Sequence, residues 1–186
     1  AKLKGATVRL LDASNYHVLL LDSNSKVWAW GNNGSGQLGD GTDRTRHEMA
    51  EVDFTALEQL NDGARIVSLS AGSEHNLALD SKGRLWAWGA GGNGQLGDGK
   101  SSPSRIPVQT NLTNLAGKVI VAATAGSGLS VALDNTGGLW IWGFNAYGRF
   151  GSGSTNYWDT RSQPMPVTWS GLGSAKIVDF AVGPEY

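Results

Sequence analysis

Three copies of one short segment account for most of the chain. Each copy ends in Trp-x-Trp-Gly and a glycine-rich stretch, and these ends read WAWGNNGSGQLGDG (28–41), LWAWGAGGNGQLGDG (85–99) and LWIWGFNAYGRFGSG (139–153). The copies recur at a nearly constant interval along the chain. Such a period indicates a supersecondary unit that cannot bury its apolar faces alone and therefore stacks on its neighbours.

Each copy also predicts a β-hairpin. Residues 13–31, 71–89 and 125–143 align without gaps. In the second of these ranges NLALD alternates as a strand, DSKGR forms a turn, and RLWAW returns as the next strand. The turn calls for a positive φ, which glycine adopts easily in two copies. Ser25 occupies that place in the first copy, at some cost in strain.

The return strand is apolar on both faces. In the second copy Trp86 and Trp88 share one face, while Leu85 and Ala87 share the other. A strand of this kind is buried on both sides, so sheets must pack above and below it. We therefore expect the repeated tryptophans to lie mostly between sheets. Structural roles are assigned to the residues of the Trp-x-Trp-Gly motif: Trp28, Trp30, Gly31, Trp86, Trp88, Gly89, Trp140, Trp142 and Gly143.

A further strand precedes each hairpin, and together these units predict an all-β fold of β-propeller blades. The strands read TVRLLDAS (7–14), RIVSLSAG (65–72), VIVAATAG (119–126) and KIVDFAVG (176–183), so each unit is a sheet of three or four strands. A short helix on the rim is predicted within HEMAEVDFTALEQL (47–60). The predicted units are repeat 1 at about 6–63, repeat 2 at about 64–117, repeat 3 at about 118–174 and the start of a fourth at 175–186.

One hexamer points to a different kind of protein. GSGQLG (34–39) has the G-x-G-x-x-G spacing of dinucleotide-binding folds, in which the glycines join a strand to the N-terminus of a helix. Here the turn-forming residues DGTD (40–43) follow, and no apolar helix begins. The hexamer recurs with the repeat, and Ala146 replaces its first glycine in the third copy. We therefore predict a structural role for it and no cofactor.

The complete repeat resembles that of the regulator of chromosome condensation family. The pattern A-G-x-x-H-x-x-A-L-D-x-x-G-x-L-W-x-W-G-x-x-x-x-G-Q-L-G-D-G matches residues 71–99 nearly throughout. The departures are Ser14 for glycine, Leu129 for histidine, and GRFG (148–151) for GQLG. The resemblance implies part of a seven-bladed ring, of which three copies make less than half. The remaining blades are expected from the same longer chain or from other copies.

The resemblance implies a choice of functions, because the family's propeller serves several tasks. Members exchange guanine nucleotides on small GTPases and bind nucleosomes, inhibit β-lactamases, form parts of ubiquitin ligases, or are secreted and surface proteins. Our main prediction is a non-catalytic protein-interaction scaffold that binds a protein partner through its inter-strand loops. The alternatives are a guanine nucleotide exchange factor for a small GTPase and an extracellular or surface module that binds glycans or proteins.

The amino-acid composition limits the classes of partner and site that we expect. The formal net charge of −1 provides no electrostatic footprint for nucleic acid. The chain contains no cysteine, which excludes disulfides and thiolate zinc sites within it. No apolar run approaches the length of a membrane span.

The titratable residues that recur with the repeat are predicted to be structural. His17 and His75 share one repeat position, where we expect hydrogen bonds to nearby backbone. Asp22, Asp80 and Asp134 begin the hairpin turns, as aspartate commonly does. A repeat places such residues on successive blades rather than around one centre, so we predict no catalytic residue and no metal site.

Aromatic residues that the repeat does not require are the predicted binding residues. The connection 152–174 differs from its counterparts, and its Tyr157 and Trp158 have no aromatic equivalent in the other copies. Phe144 and Tyr147 follow the third Trp-Gly, where the other copies carry small or polar residues. Because tryptophan and tyrosine are frequent interface anchors, we predict that these four residues bind the partner.

Overall fold

Each repeat forms a four-stranded antiparallel sheet whose strands pair in chain order. The computed structural model describes residues 3–153, 156, 158–168 and 176–183. These sheets confirm the all-β propeller fold, and each blade has four strands rather than three. The strands are β1 (Val8–Ala13), β2 (His17–Asp22), β3 (Val27–Gly31) and β4 (Arg46–Glu51) in the first blade; β5 (Ile66–Ala71), β6 (His75–Asp80), β7 (Leu85–Gly89) and β8 (Ser104–Gln109) in the second; and β9 (Ile120–Ala125), β10 (Leu129–Asp134), β11 (Leu139–Phe144) and β12 (Thr160–Pro166) in the third.

The hairpin turns have the backbone conformation that the sequence predicts. Gly83 and Gly137 have φ values of 79° and 87°. Ser25 occupies the equivalent place with a φ of 63°, a left-handed conformation that costs a residue with a Cβ atom about 1–2 kcal/mol. The first blade therefore keeps the turn at the expense of local strain.

The outermost strand of each blade lies in the connections that vary between copies. The helix predicted within 47–60 is wrong in its first half, because Arg46–Glu51 is β4 and only Thr55–Glu58 (α1) is helical. In β4, Ala50 lies opposite Ala29 and Glu51 lies opposite Trp28 of β3. The open edge of β3 provides hydrogen bonds to this segment, and that tertiary pairing outweighs local helical preference.

The core lies between blades rather than within them. β1, β5 and β9 contact their counterparts in adjacent blades and so lie nearest the centre of the propeller. Between the first two blades, Phe54 packs edge-on against Trp86 and Trp88, with ring centroids 6.2 and 5.6 Å apart. These stacked faces explain why β7 is apolar on both sides.

The repeated tryptophans are buried with one exception. Trp88 and Trp142 are fully buried between blades, Trp86 and Trp140 are nearly so, and Trp28 is also buried. Trp30 is only half-buried, because its side of the first blade is not covered by another blade within the described residues. Equal positions in the repeat thus differ in burial according to what packs against them.

Residues 176–183 begin the fourth copy and pack on the far face of the third blade. Ile177, Phe180 and Val182 contact an apolar cluster that includes Leu129 and Phe150. This segment is not a strand. It nevertheless lies against the third blade as β5 and β9 lie against the blades before them, since the Ile177 amide donates to the Gly137 carbonyl at 3.4 Å.

Candidate partner-binding surface

A repeated hydrogen-bond junction holds the loops that follow the first and second Trp-Gly on the next blade. At the first junction, the main-chain oxygen of Gln37 accepts hydrogen bonds from Trp88 Nε1 at 3.0 Å and from Asn76 Nδ2 at 2.7 Å. His17 Nε2 in turn pairs with Asn76 Oδ1. An amide oxygen only accepts, so His17 donates here. The loop of the first blade is therefore held by two side chains of the second blade, one of which also bonds His17.

The second junction uses a serine where the first uses an asparagine. Gln95 O accepts from Trp142 Nε1 at 2.9 Å and from the Ser130 hydroxyl at 2.8 Å. His75 Nε2 lies 2.8 Å from Ser130 Oγ. Because the single hydroxyl proton goes to Gln95, His75 donates its Nε2 proton. The prediction that these histidines bond to nearby backbone is wrong for Nε2, whose partners are side chains of the next blade.

The second histidine has an orphaned ring nitrogen. His17 Nδ1 lies 2.9 Å from Ser14 Oγ, but Gly72 takes the place of Ser14 in the second blade. His75 Nδ1 is buried and has no hydrogen-bond partner within the described residues. Burial, together with the nearby His17, lowers the pKa of His75 to about 3. The ring is thus neutral near pH 7, and Nδ1 presents an unused acceptor lone pair.

Packing explains the glycine at position 72. A Cβ atom there would lie 2.6 Å from the main-chain oxygen of Gly126 in the third blade. A serine at this position would clash with that oxygen, so the second blade cannot satisfy its histidine as the first blade does.

The repeated aspartates connect each hairpin turn to the first tryptophan of its strand. Trp28, Trp86 and Trp140 each donate Nε1 to the aspartate six residues earlier, at 3.0, 3.1 and 2.8 Å. Burial disfavours the charge of Asp134, but hydrogen bonds from Thr136 and Trp140 outweigh it and hold the pKa of Asp134 well below its usual range. These carboxylates are occupied in holding turns.

Three of the four predicted binding residues lie near one another at the surface, and we call Phe144, Tyr147 and Trp158 the aromatic surface. Tyr147 is 83% exposed and Trp158 is 75% exposed. Phe144 is half-buried, and its ring centroid lies 6.0 Å from that of Trp158. Tyr157, the fourth predicted residue, lies outside the described residues.

Arg149 belongs to the same region, although the sequence pattern suggested only a drift of the repeat. Its guanidinium carbon lies 5.7 Å from the centre of the Phe144 ring. Its Nη1 donates to Ser127 O and its Nε to Ala146 O, both at 3.1 Å. The equivalent Gln37 and Gln95 are buried. The change from GQLG to GRFG was the signal that could have identified this residue.

A groove of about 440 Å³ lies between the inner turns of the three blades and the aromatic surface. Tyr16, Glu74 and Ser127 line it from the turns, and Phe144, Tyr147 and Arg149 line it from the third blade. His75 also contributes to its lining. Its volume is in the range of ligand-binding clefts. Phe144 connects the groove to Trp158, so the two form one continuous surface.

The described ranges lack two features, a membrane-spanning helix and a metal-binding cluster. Those ranges contain no helix with the length and apolar character needed to cross a bilayer. They also contain no group of three or more histidine, aspartate or glutamate side chains arranged to hold a metal ion.

Comparison with known proteins identifies the repeat. The family model for the regulator of chromosome condensation (RCC1) repeat matches residues 24–79, 82–133 and 136–186, and a second model of the same description matches 8–37 and 66–95. The repeats that the first family model matches begin inside the hairpin turns. The family's repeat unit therefore starts at a different point of the chain than a structural blade does.

Similar proteins are longer than this chain. The RCC1 domain-containing protein RUG3, mitochondrial, from Arabidopsis thaliana is 34% identical over 145 residues, which are 77% of this chain and 31% of RUG3. The crystal structure of human WBSCR16 has a TM-score of 0.76 and 26% identity, covering 91% of this chain and 41% of that one. The crystal structure of Prp20p from Saccharomyces cerevisiae has a TM-score of 0.71 and 22% identity, covering 88% of this chain and 39% of that one. The chain therefore spans less than half of each of these proteins, but its three matched repeats and their propeller blades establish that it belongs to the RCC1 repeat family.

Proposed function

We propose that the chain is a non-catalytic protein-interaction module that binds a partner protein through the aromatic surface. The exposure of Trp158 and Tyr147 carries this proposal. Neither residue has an aromatic equivalent in the other copies, so the packing of the blade does not require them. Large rigid side chains of this kind bury much area on binding for little loss of rotamer freedom.

The rigidity of the scaffold supports a binding role. Phe144 ends β11, whose tryptophans are buried between blades, so the aromatic surface is attached to a fixed part of the molecule. Arg149 adds a cation against the Phe144 ring and ties the loop to Ser127 O. A preorganised surface loses little entropy when a partner binds.

The hydrogen bonds of the recurring titratable residues support the non-catalytic part of the proposal. His17 and His75 each bond across a blade junction, and the three turn aspartates each bond a tryptophan. Groups that act in catalysis converge on a reacting atom, whereas these groups are distributed one to a blade.

Truncation of Trp158 tests the proposal. Proteins captured by the wild type are compared with those captured by Trp158→Ala and by Ile106→Ala, which truncates an exposed apolar residue of β8 outside the aromatic surface. For the captured partner, Trp158→Ala is expected to weaken binding about thirtyfold, because loss of an interface anchor costs about 2 kcal/mol. Ile106→Ala should bind as the wild type does. Unchanged affinity of Trp158→Ala, or a large fall in its melting temperature, would contradict the proposal.

Nucleotide exchange on a small GTPase is the alternative. The structure of Prp20p, which has the same fold, was described together with its binding properties to Gsp1p and histones. A labelled-nucleotide release assay with a small GTPase separates the two functions, because an exchange factor accelerates release and a scaffold does not. A glycan array tests the remaining alternative, a glycan-binding module.

A further inference from the structure

We propose that the groove binds an arginine side chain of the same partner segment that the aromatic surface anchors. This inference rests on the proposed function and specifies the chemistry of the partner. Two features of the groove carry it: an exposed carboxylate and a tyrosine ring. Each is supplied by a turn or strand end of the first two blades.

The carboxylate is that of Glu74. The residue is exposed in the β5–β6 turn, and its Oε2 accepts one hydrogen bond, from Ser35 Oγ at 3.3 Å. This is longer than the distance of about 2.7–2.8 Å typical of such bonds. A carboxylate has about four lone-pair sites, so most of the hydrogen-bonding capacity of Glu74 remains available. A guanidinium matches a carboxylate with two parallel N–H donors.

The aromatic ring is that of Tyr16, which is 57% exposed and occupies the same repeat position as Glu74 one blade earlier. Guanidinium groups stack on such rings. Arg149 shows the same packing on the opposite wall, where its guanidinium lies against Phe144 and donates to two carbonyls.

The charges of the groove favour a cation at the Glu74 side. Glu74 and Arg149 are the charged side chains among the described lining residues. The Arg149 guanidinium is already engaged by a ring and two carbonyl oxygens, whereas the Glu74 carboxylate has a single long hydrogen bond. Glu74 forms no ion pair within the described residues, and a basic side chain on its side of the groove complements its charge.

Selection from a phage-displayed library of random short peptides tests the inference. The library is applied in parallel to the wild type, Glu74→Gln, Trp158→Ala and Glu58→Gln, the last being a control that neutralises an exposed glutamate of α1 outside the groove. We expect peptides selected on the wild type to be enriched in arginine. A selected peptide should bind Glu74→Gln at least about tenfold more weakly than the wild type, because the loss of a hydrogen bond to a charged group typically lowers affinity by more than a factor of about ten. Glu58→Gln should bind it as the wild type does.

The outcomes separate this inference from the proposed function. Peptides that depend on Trp158 but show no arginine enrichment and bind Glu74→Gln normally would overturn the inference and leave the interaction module standing. Binding that neither Trp158→Ala nor Glu74→Gln affects would overturn both. Replacing the arginine of a selected peptide by lysine gives a second measure, because loss of the planar fork should weaken binding to the wild type more than to Glu74→Gln.

Discussion

Trp88→Ala tests whether the second tryptophan of the repeat holds neighbouring blades together. The side chain is fully buried, packs edge-on against Phe54, and donates Nε1 to Gln37 O at 3.0 Å. A buried aromatic side chain removes roughly 150–250 Å² from water, which at about 25 cal/mol per Å² is an upper bound of about 4–6 kcal/mol. Measured truncations of buried tryptophan cost about 3–5 kcal/mol, and we expect the free energy of unfolding to fall by that amount.

Trp88→Phe separates the packing contribution from the hydrogen bond. Phenylalanine keeps an aromatic ring beside Phe54 but cannot donate to Gln37 O. That oxygen retains its hydrogen bond from Asn76 Nδ2 at 2.7 Å, so it is not orphaned. The loss should therefore be about 1–2 kcal/mol, made up of one hydrogen bond and a small change in volume.

Urea denaturation followed by far-ultraviolet circular dichroism measures these losses. Variants are compared by the midpoints of their unfolding transitions. A shifted midpoint indicates a change of stability alone when the free energy of unfolding keeps the same dependence on urea concentration. The matched control is Trp158→Ala, whose 75% exposed side chain should contribute less than about 0.5 kcal/mol. If Trp88→Ala costs no more than this control, the packing argument is wrong. If Trp88→Phe costs as much as Trp88→Ala, the hydrogen bond and not the burial dominates.

Two further predictions concern the junction histidine and the strained turn. The pKa of His75 is about 3 in the folded protein and 6.5 in the reference state, so the unfolded chain takes up its proton first and stability should fall as the pH is lowered from about 6.5 towards 3. His75→Gln should flatten this dependence in melting curves while the exposed-site control His47→Gln preserves it, and an unchanged slope in His75→Gln would refute the assignment. Ser25→Gly should raise the free energy of unfolding by up to about 1 kcal/mol by relieving the φ of 63°. The reverse change Gly83→Ser should lower it, since a Cβ atom there would lie 2.3 Å from Val119 Cγ1, and a stabilised Gly83→Ser would contradict this explanation.

The sequence by itself determined the features that depend on neighbours along the chain. Alternating apolar residues, a turn aspartate and a glycine with positive φ define each hairpin locally, so β2, β3 and their repeats were predictable. The recurrence of the hairpin determined the propeller, because an apolar return strand such as β7 requires sheets on both sides. The exposed aromatic residues were identified for a related reason, since they break the repeat.

Only the tertiary structure decided the features that depend on residues far apart in sequence. Local preference suggested a helix within residues 47–60, and only the open edge of β3 made residues 47–51 part of a strand. The partner of His17 Nε2 is Asn76, 59 residues away, and no local pattern indicates that contact. Trp30 and Trp88 are equivalent in the repeat, but they differ in burial because Trp88 meets a neighbouring blade, whereas within the described residues no other blade covers Trp30. A repeat specifies the faces of its unit, whereas the contacts of those faces depend on which side chains the adjacent unit brings to them.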